Sequence, residues 1–288
     1  MSIFLAVLMQ VGPNPLVGGM PGDELVRDRP PRPAAAELEL NAKSAWLQSC
    51  FDQLGEDPAR AHTMAQIRRS ETTGADRVLA NHCLGTAASV LGLWDDARAA
   101  FVAARAETPE DENRTRARFA TLAGNAALAG GDAMGALDLL TLAEGEARAA
   151  KSAPLEAIAM LDRARALVAL GREQEALGGL ERATALAPER AEGWLLMATL
   201  FRRLDRLEQA QAAIERAAAL APSDPAIGLE AGVIAVLGGR DGAARASWQS
   251  VIALAPGTPA AQTATDYLAQ IGEADETTPP TPPQEPPP

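Results

Sequence analysis

The sequence predicts an all-α protein built as an array of antiparallel helix pairs, and three observations carry that reading. Pro154, Pro188, Pro222 and Pro256 stand 34 residues apart each time (188 − 154 = 222 − 188 = 256 − 222 = 34), a period at which helical repeats stack. With repeats starting at Val78, Ala117, Ala157, Ala191 and Pro225, the eighth position is always small: Gly85, Gly124, Ala164, Ala198, Gly232. The twentieth is always alanine (Ala97, Ala136, Ala176, Ala210, Ala244), and the twenty-fourth is always large and apolar (Phe101, Leu140, Leu180, Ile214, Trp248).

Taken in order, residues 38–77 predict a degenerate helical hairpin that caps the array, centred on 46–69. Five repeats follow, at 78–116, 117–156, 157–190, 191–224 and 225–258, each a helix A, a tight turn and a helix B. Small residues at eight on helix A are expected to face Ala at twenty on helix B, because two helices approach closely only where the contact residues are small. Near position fifteen, Gly92, Gly131, Gly171 and Gly239 supply the left-handed conformation that ends helix A, with Asp205 as substitute. Pro109, Pro188, Pro222 and Pro256 stop helix B, since proline lacks the N–H and fixes φ; Arg148 stands where the second repeat would have its proline. The starts at 78 and 117 are 39 apart and those at 117 and 157 are 40 apart. The extra residues in 109–115 and 148–153 lengthen helix ends or loops. Residues 259–272 predict a lone helix covering the apolar face of the last repeat.

This pattern resembles the tetratricopeptide repeat (TPR) family, in a bacterial protein. Trp194 and Phe201, at positions four and eleven of the fourth repeat, complete the family pattern most fully, while Asn81 and Gly228 depart from it at position four. The resemblance implies a right-handed superhelical solenoid whose A helices line a concave groove through positions two, five, nine and twelve. Counted onto this chain, the implied partner-binding groove includes His82, Arg118, Asn125, Leu161, Arg165, Leu195, Thr199, Arg202 and Leu229, with Tyr267 from the last helix. Three arginines with aliphatic residues between them suit a protein or peptide partner carrying acidic and apolar side chains. The carboxylate-clamp members of the family need Lys and Asn at set positions, where this chain has His82, Thr86, Leu122, Ile158 and Asp162. That specificity does not carry over.

The ends read differently. Residues 1–19 are an apolar N-terminus that fits a signal peptide, although no Lys or Arg precedes the apolar run at Ile3 to Val11. Residues 20–37 read as a disordered linker and 273–288 as a disordered, Pro-rich acidic tail. The chain is 47% apolar but only 3% aromatic, so its core is Ala, Leu and Val. The net charge of −12 opposes nucleic-acid backbones. Only Lys43 and Lys151 are lysine, which points to a GC-rich bacterial genome. No run of 18 apolar residues provides a transmembrane helix.

Cys50 and Cys83 lie 33 residues apart, almost one repeat, and so at equivalent points of adjacent A helices. A disulfide is the expectation, with two buried free thiols as the alternative. A disulfide favours an oxidising compartment, hence the periplasm or export over the cytoplasm. Enzyme signatures are missing: there is no Gly-x-Ser-x-Gly elbow, Walker loop, His-Glu-x-x-His or dinucleotide fingerprint. His82 and Cys83 point about 100° apart on a helix and cannot easily share a metal. The expectation is a non-catalytic interaction scaffold in envelope or secretion assembly, with no cofactor and no metal. The alternatives are a cytoplasmic co-chaperone or regulator, and a thiol redox or metal sensor using Cys50 and Cys83.

Overall fold

The computed structural model describes residues 34–272, with side chains from residue 45 onward. The expected signal segment 1–19, linker residues 20–33 and tail 273–288 lie outside the described residues. Residues 34–37, expected in the linker, are helical.

All regular structure among the described residues is α-helical. In order the helices are α1 (Ala34–Glu56), α2 (Pro58–Glu71), α3 (Gly74–Val90), α4 (Trp94–Glu107), α5 (Asn113–Ala129), α6 (Ala133–Ala149), α7 (Ala153–Ala169), α8 (Glu173–Leu186), α9 (Ala191–Arg203), α10 (Leu207–Leu220), α11 (Pro225–Leu237), α12 (Asp241–Leu254) and α13 (Pro259–Gln270). The chain divides between Leu170 and Gly171 into two compact units. In the first, each of α1 to α7 packs on the next, and α1 also meets α3 and α5 meets α7. In the second, each of α8 to α13 packs on the next, with α9 on α11 and α11 on α13.

Local chemistry sets the helix ends. Gly92, Gly131, Gly171 and Gly239 have φ of 72°, 87°, 72° and 70°, and Asp205 has 58°, the left-handed geometry that terminates a helix. Helices α4, α8, α10 and α12 each end two residues before Pro109, Pro188, Pro222 and Pro256. Pro154 belongs to a different class: it lies in the first turn of α7, where its missing N–H costs nothing. Its place in the 34-residue series marks a helix start, not a stop. Side chains cap several starts, with Asp57, Asp132 and Asp224 accepting from Arg60 N, Gly135 N and Ala226 N at 3.1, 2.8 and 2.8 Å.

The extra residues of the middle repeats extend helices. α5, α6 and α7 have 17 residues each, against 13 in α9 and α11 and 14 in α8, α10 and α12. Just before the added residues of α6 stand two buried glutamates, each held by two arginines. Glu146 binds Arg105 at 2.5 Å and Arg116 at 3.1 Å; Glu144 binds Arg148 at 2.8 Å and Arg163 at 3.0 Å. Buried carboxylates persist only when so compensated.

In the three hairpins with glycine at position eight the fit differs in one respect from the sequence expectation. There the glycine at position eight makes room for the large residue at twenty-four rather than for Ala at twenty. A Cβ added to Gly85 would stand 2.6 Å from the Phe101 ring, one on Gly124 would stand 2.5 Å from Leu140, and one on Gly232 would overlap the Trp248 indole. Ala at twenty is fully buried in all five instances. Both hairpins with an aromatic at twenty-four have glycine at eight, because only the loss of the methyl leaves space for a ring. Trp194, at position four of the fourth repeat, is half-buried, with Nε1 donating to the Pro188 carbonyl at 2.9 Å.

Cys50 of α1 and Cys83 of α3 form a disulfide with a Cα–Cα distance of 6.3 Å. Both residues are fully buried, in a cluster with Ala61, Ala65, Leu84, Ala87 and Ala100.

Candidate partner-binding face

In the first unit the A-helix face is built around a ring stack. The His82 imidazole of α3 lies edge-on between Phe51 of α1 at 5.4 Å and Phe119 of α5 at 5.3 Å. Two of the three rings neighbour the disulfide: Phe51 follows Cys50, and His82 precedes Cys83. Burial, and secondarily the Arg118 guanidinium, lowers the His82 pKa from 6.5 to about 4. At neutral pH His82 is therefore an uncharged, aromatic part of this face.

Arg118 is exposed, and among the described residues no carboxylate stands within ion-pair distance of it. Farther along, Asn125 Nδ2 of α5 donates to Asp162 Oδ2 of α7 at 2.9 Å. Asp162 is buried and also binds Arg165 one turn on. Arg165 is thus held by a carboxylate, which corrects its reading as an open cation. Leu161, only 1% exposed, belongs to the core and not to a groove surface.

The remaining residues predicted for the groove lie in the second unit. Leu195 and Thr199 of α9 are half-buried. Arg202 does not stand open: Nε and Nη2 bind Glu230 of α11 at 2.6 and 3.3 Å. Leu229 and Tyr267 are half-buried in an apolar cluster with Ala235, Ala244, Trp248 and Val251. The Leu229 carbonyl accepts from Trp248 Nε1 at 3.1 Å, and the Tyr267 and Trp248 rings are 5.1 Å apart. These two side chains complete the C-terminal packing.

Sequence reasoning missed the acids. Asp162 and Glu230 both occupy position six, one residue past the position-five column assigned to the groove, and each neutralises an arginine at nine or twelve. The ring stack was half-visible through His82, but Phe51 lies in the degenerate hairpin, where no repeat register points to it. Among the described residues no three His, Cys, Asp or Glu side chains converge as metal ligands, and no helix is long and apolar enough to cross a membrane.

The pH response of His82 is predictable. A folded-state pKa below the unfolded value means that stability is full above about 6.5 and is lost as pH falls toward about 4. Proton NMR should show the His82 ring titrating near 4. In Arg118→Ala it should move partway toward 6.5, because burial, the larger cause, remains. Titration of the wild-type ring near 6.5 would contradict the buried stack.

No protein-family model and no curated protein matches the sequence. Solved structures do. PilW, described as a widely conserved type IV pilus biogenesis factor, matches with a TM-score of 0.61 at 17% identity, covering 78% of this chain and 98% of its own. PilF of Pseudomonas aeruginosa gives 0.58 at 16%, covering 79% and 98%. A chain of the APC/C hetero-tetramer Cut9–Hcn1 gives 0.60 at 15%, covering 80% of this chain but 43% of that one. At these identities the likeness is one of fold, and the fold is the tetratricopeptide-repeat solenoid.

Proposed function

We propose that the chain is a non-catalytic protein-interaction scaffold that holds a partner segment on the A-helix face of its first unit. The single observation behind this reading is the Phe51–His82–Phe119 stack with the exposed Arg118 beside it. The half-buried Phe51 and His82 rings offer apolar contact, with Phe119, only 5% exposed, backing them from the core, and one cation without an internal partner offers a carboxylate contact. A partner segment with an apolar side chain next to an acidic one fits both. Arg165 and Arg202, already bound to carboxylates, contribute little net attraction.

The proposed setting is the bacterial envelope, in assembly or secretion. The buried Cys50–Cys83 disulfide supports it, since such bonds persist in oxidising compartments. The fold likeness to a described pilus biogenesis factor points the same way. Full burial of both cysteines favours a structural bridge over a redox sensor, whose thiols need access.

The test is chemical crosslinking in the native compartment followed by mass spectrometry. Arg118→Glu should reduce recovery of the crosslinked partner at least about tenfold without lowering the melting temperature, because the residue is exposed and the new charge repels an acidic segment. Val102→Arg, on an exposed position of α4, should leave recovery unchanged. The reverse pattern would move the binding surface off the A-helix face.

A further inference from the structure

The first unit exposes a second surface, at the turn edge of its hairpins. Val90, Leu91, Leu93 and Trp94 cluster around the α3–α4 turn and are 59%, 39%, 43% and 36% exposed. Met134, 55% exposed, follows the next turn. Trp94 backs onto that turn: a Cβ added to Gly130 would stand 3.0 Å from the Trp94 Cβ. Leu93 and Trp94, with Gly92, Gly130, Asp95 and Asp96, line a shallow depression of about 310 Å³. None of these apolar groups is needed inside the hairpin, where Phe101 and Ala97 fill the contact. Contiguous exposed apolar groups of this kind mark interaction surfaces.

Acids outnumber cations around them, with Asp95, Asp96 and Asp132 against Arg98. Asp95 is 94% exposed, and the nearest cation in sequence, Arg98, is divided between Asp95 at 3.2 Å and Asp132 at 2.7 Å. Among the described residues Asp96, also exposed, has no cation within ion-pair distance. The α4 helix dipole favours acids in its first turn, but it does not account for a partly exposed tryptophan and three aliphatic side chains beside them.

We propose that this turn edge docks a segment of a partner protein in which Lys or Arg alternates with apolar side chains, the apolar groups seating against Leu93 and Trp94 and the cations meeting Asp95 and Asp96. The chemistry is opposite in charge to that proposed for the A-helix face, so the two surfaces hold different segments. Tryptophan is the residue type that most often dominates such contacts, and the acids set charge selectivity and salt dependence.

Two synthetic peptides test this on the intact oxidised protein: one alternating Arg and Leu, and one with Ser replacing every Leu. The Arg-Leu peptide should bind saturably and shift the backbone amide resonances of Gly92, Asp95, Asp96 and Gly130. Trp94→Ala should weaken binding at least about tenfold, and Leu93→Ser, which leaves Trp94 in place, should weaken it several-fold. Asp95→Asn with Asp96→Asn should weaken it and flatten its salt dependence. Equal binding of the Arg-Ser peptide would reduce the effect to net charge and overturn the proposal. So would unchanged binding by Trp94→Ala, shifts confined to Thr86, Arg118 and Asn125, or a wild-type dimer in sedimentation that Trp94→Ala dissociates, since a second copy would then be the occupant.

Discussion

Trp248→Ala lowers the stability of the second unit by about 3–5 kcal/mol, the range for truncating a fully packed aromatic. Trp248 is 3% exposed, donates to the Leu229 carbonyl at 3.1 Å, and supports the Tyr267 ring at 5.1 Å. Truncation removes both contacts and exposes α13, whose hold on α12 depends on that cluster. The partner variant makes the test specific. Gly232→Ala in the wild-type background drives a methyl into the indole and costs about 1–3 kcal/mol by overpacking. In the Trp248→Ala background the same methyl enters the vacated space, and the helix gains up to about 1 kcal/mol from losing a glycine. The two changes are therefore strongly non-additive. Urea unfolding of the four proteins measures the cycle, and additive costs would mean that position eight does not set the size of the residue at twenty-four.

Removing the Cys50–Cys83 bridge by the double change to alanine lowers stability by about 3–4 kcal/mol, from the entropy the unfolded chain regains when a loop of 33 residues is opened. The loss falls where α1 joins α3, and the Phe51–His82 contact is the next one along. Reductant should bring the wild-type urea midpoint down to that of the variant and leave the variant unchanged. Equal midpoints for oxidised and reduced wild type would show that the bridge constrains nothing. His82 reports the same event: with α1 loosened, its burial falls and its titration moves up from about 4 toward 6.5.

What the sequence by itself determined was the array. A helix hairpin is a local object: a glycine at fifteen, a small residue at eight, a large one at twenty-four and a terminal proline act within one repeat, so their spacing can be read without a neighbour. The same holds for the cysteines, whose one-repeat separation places them on adjacent A helices. The tertiary structure decided which groove residues remain available. Arg165 and Arg202 stood at the right positions, but their charge is neutralised by Asp162, one turn away, and by Glu230, on the next A helix. Leu161 shares a helix with Arg165, yet its side chain points into the core. The His82 pKa falls to about 4 through burial, to which Phe51 and Phe119 contribute from two other helices, and secondarily through Arg118. Ion pairing and desolvation act through space over a few ångströms; the Arg165–Asp162 pair is local, but Glu230, Phe51 and Phe119 lie about one repeat along the chain from the groups they act on. A periodic pattern specifies which face a residue occupies; what touches it there is set by the register and rotamers of the neighbouring helix.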